Sequence, residues 1–325
     1  QGGRSKLKYD DGIYTPSVLG LEGNEDLGSG TAAIFKLEGA FRSGAGTYIP
    51  GAGAFGRQSY VGLKNTNLGT LTIGNQFDFM FDSMSMENNN PAIFTSGLYA
   101  MTAGPFTGLG IPANPTGNFV WDRLGGQSVG NAVKYRSGQL NGFSVGAMYA
   151  LGEVPGRLGE GSTKSFSLNF DRGPFGLASV YTEQKYLFPD VAEKSVAIRN
   201  FAIGTHYKFE NFVANAMLTT VRNMATNAGI YAISAGVNWS IDNSWQLGSN
   251  YIYMNGNERL ANSHANQVAA TLSHLLSKRA RIYVQGVYQR TNSGANALIN
   301  GITEPGGASS SGTQVITRIG IQSFF

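Results

Sequence analysis

The chain has no cysteine, which excludes disulfides and thiolate metal sites. Only 14% of its 325 residues are charged, and the net charge is +4. No basic run extends beyond Lys278-Arg279, so the clustered basic face of a nucleic-acid binder is missing. No stretch approaches the roughly 18 consecutive apolar residues of a membrane-crossing helix. Histidines number three, and His206, His264 and His274 lie too far apart to read as a metal site. None stands beside a nucleophile signature. Composition therefore proposes no catalytic residue, no metal and no cofactor.

Glycine (45), phenylalanine (19) and tyrosine (15) are abundant. That mixture suits short strands, tight turns and aromatic girdles. Apolar and other residues alternate over segments of about ten, the pattern of a membrane-spanning β-barrel. Phe166, Leu168 and Phe170 alternate with Ser165, Ser167, Asn169 and Asp171. Ile282, Val284 and Tyr288 alternate with Arg281, Tyr283, Gln285 and Gln289. A strand sends alternate side chains to opposite faces. The polar face holds too many charges and amides for a dry core, and a water-filled lumen removes the desolvation cost. Trp239 and Trp245 flank a short turn, as an interfacial aromatic belt would.

Fifteen such strands are predicted, from Ser17–Leu27 to Gln314–Phe325. Connections alternate between short turns and longer loops, as in an up-and-down outer-membrane barrel. Single-chain bacterial barrels have an even strand number, so one strand is expected to precede Gln1.

The segment 77–129 breaks the pattern. Its 53 residues include Asn88-Asn89-Asn90-Pro91, Gly104-Pro105, Gly108 and Gly110. A loop that long inside a compact domain is expected to be functional. Asp78, Asp82, Glu87 and Asp122 oppose one basic residue, Arg123. Met80, Met84 and Met86 are expected to pack the segment against the wall.

Several stretches carry a resemblance: Gly23-Asn24-Glu25-Asp26-Leu27-Gly28, Ile34-Phe35-Lys36-Leu37-Glu38, and Gly56-Arg57-Gln58-Ser59-Tyr60-Val61-Gly62-Leu63. Others are Asn131-Ala132-Val133-Lys134-Tyr135, His274-Leu275-Leu276-Ser277-Lys278-Arg279 and the terminal Phe325. Their order and spacing resemble the general trimeric porins of Gram-negative outer membranes, in the branch typical of beta-proteobacteria. The resemblance implies an all-β, transmembrane, antiparallel 16-stranded barrel forming one domain over residues 1–325. It also implies a homotrimer, integral in the outer membrane among its lipids and lipopolysaccharide. The third external loop, here 77–129, folds inward as the constriction. Relatives often have arginine where this chain has Val18, Asn75 and Ser128, which weakens the basic wall.

The candidate constriction set is a basic wall of Lys36, Arg42, Arg57, Lys134 and Arg136. It is faced by Asp78, Asp82 and Glu87 of the loop, with Glu38 on the wall. Opposed charges across a narrow point order polar solutes and tune ion passage. The expected function is a passive channel for small hydrophilic solutes and ions with a weak anion preference. A channel specific for small organic anions, and a barrel-based enzyme or adhesin, are the alternatives.

Overall fold

The computed structural model describes residues 5–48, 53–93, 95, 97–112, 114, 120–187, 195–302 and 307–325. Strands form where the period-2 pattern runs. β1 (Ser17–Gly28) and β2 (Thr31–Arg42) make the first hairpin, and β3 (Thr47–Tyr48) adds a two-residue pairing to β2. β4 (Gln58–Asn65) and β5 (Gly69–Phe77) precede the long segment. β6 (Ser128–Arg136), β7 (Phe143–Ala150), β8 (Thr163–Arg172), β9 (Phe175–Leu187) and β10 (Ser195–Lys208) follow it. Then come β11 (Phe212–Asn223), β12 (Gly229–Ser240), β13 (Trp245–Gly256), β14 (His264–Leu275), β15 (Ala280–Thr291) and β16 (Thr313–Ser323).

All sixteen belong to one antiparallel sheet. Apart from β3, each long strand pairs with the next in sequence, β2 passing to β4. This is the meander of an up-and-down barrel. The first and last predicted strands lie within two residues of the ends of β1 and β16. The pairing of β3 was not predicted. Nor were three short helical turns inside 77–129, at Met80–Ser85, Gly97–Ala100 and Thr107–Leu109.

Side-chain capture sets the short turns. The Asp242 carboxylate accepts from the Ser244 and Trp245 amides at 2.6 and 2.8 Å, and Asn65 accepts from the Asn67 and Leu68 amides at 2.9 and 3.0 Å. Such bonds hold the backbone in a turn. Cross-strand aromatic pairs knit the outer face, for example Phe143 with Phe170 at 4.7 Å between ring centroids.

The two faces differ sharply. Outward-pointing Phe166, Leu168, Ile203, Val237 and Val284 are exposed, and Ile319 keeps 82% of its surface. A soluble monomer rarely exposes so continuous an apolar face, whereas lipid covers it. On the other face Ser165, Asn200, Gln267 and Gln289 are buried. What buries them is not a second sheet but the segment 77–129. Phe79, Met80, Met84, Tyr99, Met101 and Leu124 of that segment pack on Ala132, Met148, Val180, Ala202, Met217 and Val287 of the wall. The apolar core of this molecule therefore sits inside the barrel.

Candidate functional site

The segment leaves β5 at Phe77 and rejoins the sheet at Ser128. Close to its two ends, Asp78 and Arg123 form an ion pair in which the guanidinium Nε donates to the carboxylate. Both are buried. Arg123 also donates through Nη1 to Gln184 Oε1 of β9 at 2.5 Å. Asp78 accepts from the Met80 amide at 3.0 Å and so starts the first helical turn. That turn carries Asp82 to Lys134 of β6, whose Nζ donates both to that carboxylate and to the Phe77 carbonyl at 2.7 Å. Arg136, two residues further along β6, grips Glu87 in the same way. Desolvation pushes the Asp82 and Glu87 carboxyls above the ordinary carboxylate range, against the lowering pull of Lys134 and Arg136.

A second cluster sits on β2 and β4. Arg57 Nε donates to Glu38 at 2.5 Å, and Lys36 Nζ lies 3.3 Å from the same carboxylate. Arg57 lies over the Phe77 ring at 4.8 Å, so it faces the root of the segment. Tyr60 is the register partner of Lys36 on β4. Its neighbour across β5 is Gly74, which partners Ala132 of β6. One inner-wall row thus connects the clusters.

The nine candidates are therefore not two facing walls. Asp82 and Glu87 touch Lys134 and Arg136 directly, and Asp78 is neutralised by Arg123 within the segment itself. Arg42 stands apart at the end of β2, where it is exposed. It acts there on Asp11, whose carboxylate accepts from Ser43 Oγ at 2.7 Å. Met80 and Met84 pack into the core, whereas Met86 is 61% exposed.

Sequence reasoning missed the anchoring of the rest of the segment. Six wall amides donate to its backbone carbonyls. Asn200 reaches Trp121 at 3.1 Å, Asn215 reaches Asn88 at 3.1 Å, and Asn223 reaches Leu109 and Gly110 at 3.0 Å. Asn250 reaches Ala100 at 3.5 Å, Gln267 reaches Tyr99 and Met101 at 3.3 Å, and Gln289 reaches Ala103 at 3.3 Å. Carbonyls outside regular structure must be satisfied when buried, and these side chains supply the donors. The available signal was the recurrence of Asn or Gln at inward positions of β10, β11, β13, β14 and β15. Close approach is permitted by glycine: a Cβ at Gly146 would lie 2.3 Å from the Phe79 ring, and one at Gly204 would lie 2.9 Å from the Asn89 carbonyl oxygen.

Asp122 is fully buried beside Trp121 and accepts from Thr219 Oγ1 of β11 at 3.1 Å. Desolvation raises its pKa to about 6 from 3.8, although hydrogen bonds, that from Thr219 among them, pull it down. Between about pH 4 and 6 the folded state holds a proton that the unfolded state has released. Stability should fall as pH rises through that window, by about 3 kcal/mol in total, and level off above it. Thermal unfolding in detergent from pH 4 to 7 checks this. Asp122→Asn should flatten that part of the profile, and equal slopes in the two proteins would refute the assignment.

The fold and the loop's placement can be set beside known proteins. The family model for Gram-negative porins matches residues 2–294. The chain belongs to the Gram-negative porin family. This porin is 26% identical over 218 residues, 63% of its length, to an outer membrane porin protein of Bordetella pertussis (strain Tohama I). It is 23% identical over 312 residues, 87% of its length, to the major outer membrane protein P.IB of Neisseria gonorrhoeae. It spans about half of the Bordetella protein, 52%, and 80% of the Neisseria protein. Among solved structures it is similar to the anion-selective porin from Comamonas acidovorans, with a TM-score of 0.74 at 21% identity, covering 96% of this chain and 90% of that one. It also resembles the trimer form of OmpT from Vibrio cholerae, with a TM-score of 0.67 at 15% identity, covering 95% and 91%. Family membership and the lipid-facing barrel place the chain in the outer membrane.

Proposed function

We propose that this porin is a passive diffusion channel for small hydrophilic solutes and ions, with a weak anion preference, and that segment 77–129 is its constriction. One observation carries the reading. The described residues of segment 77–129 are fastened along the inner wall by ion pairs near its root and by hydrogen bonds from Asn and Gln side chains of β10 to β15, so a fixed body narrows the bore. Lys36, Glu38, Arg57, Lys134 and Arg136 line it with Asp82 and Glu87, while Asp78 and Arg123 lock the root behind them. Arg42 acts at the mouth. The lining itself holds four cations, Lys36, Arg57, Lys134 and Arg136, against three carboxylates, Glu38, Asp82 and Glu87, a small positive excess, and ion pairing damps the field that separated charges would set up. That supports a mild preference of the kind named for the Comamonas protein. The trimer form of the Vibrio protein supports a homotrimer here, with lipid and lipopolysaccharide around the outer apolar face.

Reversal potentials of the reconstituted channel in a potassium chloride gradient test this. The wild type should prefer chloride modestly. Arg57→Ala should move the potential toward potassium, and Asp82→Ala toward chloride. A clear cation preference in the wild type would end the reading. Conductance nearly linear in salt is the expected companion result. Saturation would instead favour the second reading, a channel specific for small organic anions, which a polar recess lined by Gln246, Thr271, Ser273 and Arg281 supports.

A further inference from the structure

On β13, β14 and β15 the inward positions beyond the anchoring amides continue toward the short-turn end of the barrel. There the wall holds a recess of 230 Å³, lined by Tyr14, Asn238, Gln246, Gly248, Thr271, Ser273 and Arg281. The strand register sets its place: Gly248 pairs with Thr271, Gln246 with Ser273, and Arg281 with Leu275. Asn250, the next inward residue on β13, bonds the Ala100 carbonyl. The recess therefore opens immediately past the constricting segment.

Its chemistry is one-sided. Arg281 is the charged residue of the lining, and among the described residues it is in no ion pair. Its closest hydrogen-bond partners are weak: Gln246 Oε1 at 3.4 Å and the Tyr14 hydroxyl at 3.5 Å. Thr271 is 2% exposed, yet its hydroxyl has no hydrogen-bond partner. A buried polar atom left without a partner costs free energy unless something occupies the space before it. Tyr14 of the lining stacks on Tyr283 at 4.8 Å between ring centroids, and the Arg281 guanidinium lies 5.9 Å from the Tyr14 ring. One guanidinium among hydroxyls and carboxamides suits a solute with one oxyanion and several hydroxyls. A bare halide would use the guanidinium and leave the rest idle. An apolar solute would strand every polar group. The recess is also smaller than the roughly 300–1,000 Å³ of pockets for drug-sized ligands, which limits the occupant to about a monosaccharide.

We propose that this recess is a transient binding subsite for a small polyhydroxylated anion of the sugar-acid or sugar-phosphate class. Arg281 takes the carboxylate or phosphate, and Thr271, Ser273, Asn238 and Gln246 take the hydroxyls. The proposal rests on the channel reading above, and its test separates the two. Single channels in a planar bilayer are recorded in potassium chloride, then with glucuronate, glucose 1-phosphate or glucose added. Open-channel current before any addition reports on the channel reading alone. Glucuronate, glucose 1-phosphate or both should interrupt the current in a concentration-dependent way, and glucose should not. In Arg281→Gln the half-blocking concentration should rise by about tenfold or more, the loss of one charge-assisted contact. Thr271→Val should also raise the half-blocking concentration. The arm that blocks identifies the oxyanion. Channels that conduct normally but are blocked by neither anion, or are blocked equally in Arg281→Gln, would overturn the subsite.

Discussion

Replacing Arg123 with methionine is expected to destabilise the barrel by about 3–5 kcal/mol, the usual consequence of leaving a buried charge without its partner. Arg123 is 3% exposed and Asp78 is fully buried. They stand near opposite ends of the inward segment, so their ion pair ties its exit from β5 to its return toward β6. The backbone bears a cost to make it: Arg123 sits at φ +66, a left-handed conformation that costs an L-residue about 1–2 kcal/mol. In Arg123→Met the Asp78 carboxylate would lose the cation it pairs with among the described residues. The root of the segment should then open, with larger and noisier single-channel currents. Arg123→Lys should recover only part of the loss, because an ammonium cannot reach Asp78 and Gln184 together as the guanidinium fork does. The double replacement Asp78→Leu with Arg123→Leu should be less damaging than Arg123→Met alone, since removing both charges removes the unpaired one. Thermal unfolding in detergent and bilayer recordings of the same samples check each step. An Arg123→Met protein with wild-type stability and quiet wild-type currents would show that the pair does not hold the segment.

The contrast between strands and segment explains what could be read from the residues alone. Alternation in β8, β10, β12 and β15 directly encodes which side chains meet lipid, because the barrel has only two faces and lipid tolerates only one kind of residue. Strand ends follow from turn formers such as Asp242 and Asn65, which act within three residues of themselves. The segment 77–129 obeys no such local rule. Its length and acidity marked it, and the recurrence of Lys134 and Arg136 on one face marked its nearest partners. That Asp78 would be met by Arg123 rather than by the wall joins two residues 45 positions apart, a pairing that no local pattern encodes. Parity along β2 assigns Lys36 and Arg42 to one face. It cannot reveal that Arg42, six residues further along β2, acts instead on Asp11. The wall amides were visible as lumen polarity and were assigned to water. Their acceptors are backbone carbonyls, which every residue has, so no side-chain pattern in the segment announces them.

That anchoring carries the second large effect. Gln267→Leu combined with Gln289→Leu should release the far side of the segment while leaving its root in place. Gln267 donates to the Tyr99 and Met101 carbonyls. Gln289 donates to the carbonyls of Ala103 and Leu298 and to Gln267, at 3.3, 3.0 and 2.9 Å, and it accepts from the Leu298 amide at 2.7 Å. Two side chains thus satisfy five backbone groups drawn from the segment and from the loop before β16. Leucine matches their bulk and offers no hydrogen bond, so those groups would be buried without partners. At about 1–3 kcal/mol for each such group, and with relaxation toward water recovering part of it, the double variant should lose several kcal/mol. It should also show slow steps between conductance levels as the segment lifts and reseats. Gln285→Leu is the control. Gln285 is 2% exposed on the same strand, and neither atom of its amide has a partner. Its replacement removes a desolvated amide and breaks no bond, so stability should hold or rise. If Gln285→Leu proved as damaging as the double variant, bulk polarity of the wall would be what matters. A difference in the expected direction assigns the effect to the individual bonds, and with it the narrowness of the bore to the carbonyls that β13, β14 and β15 hold in place.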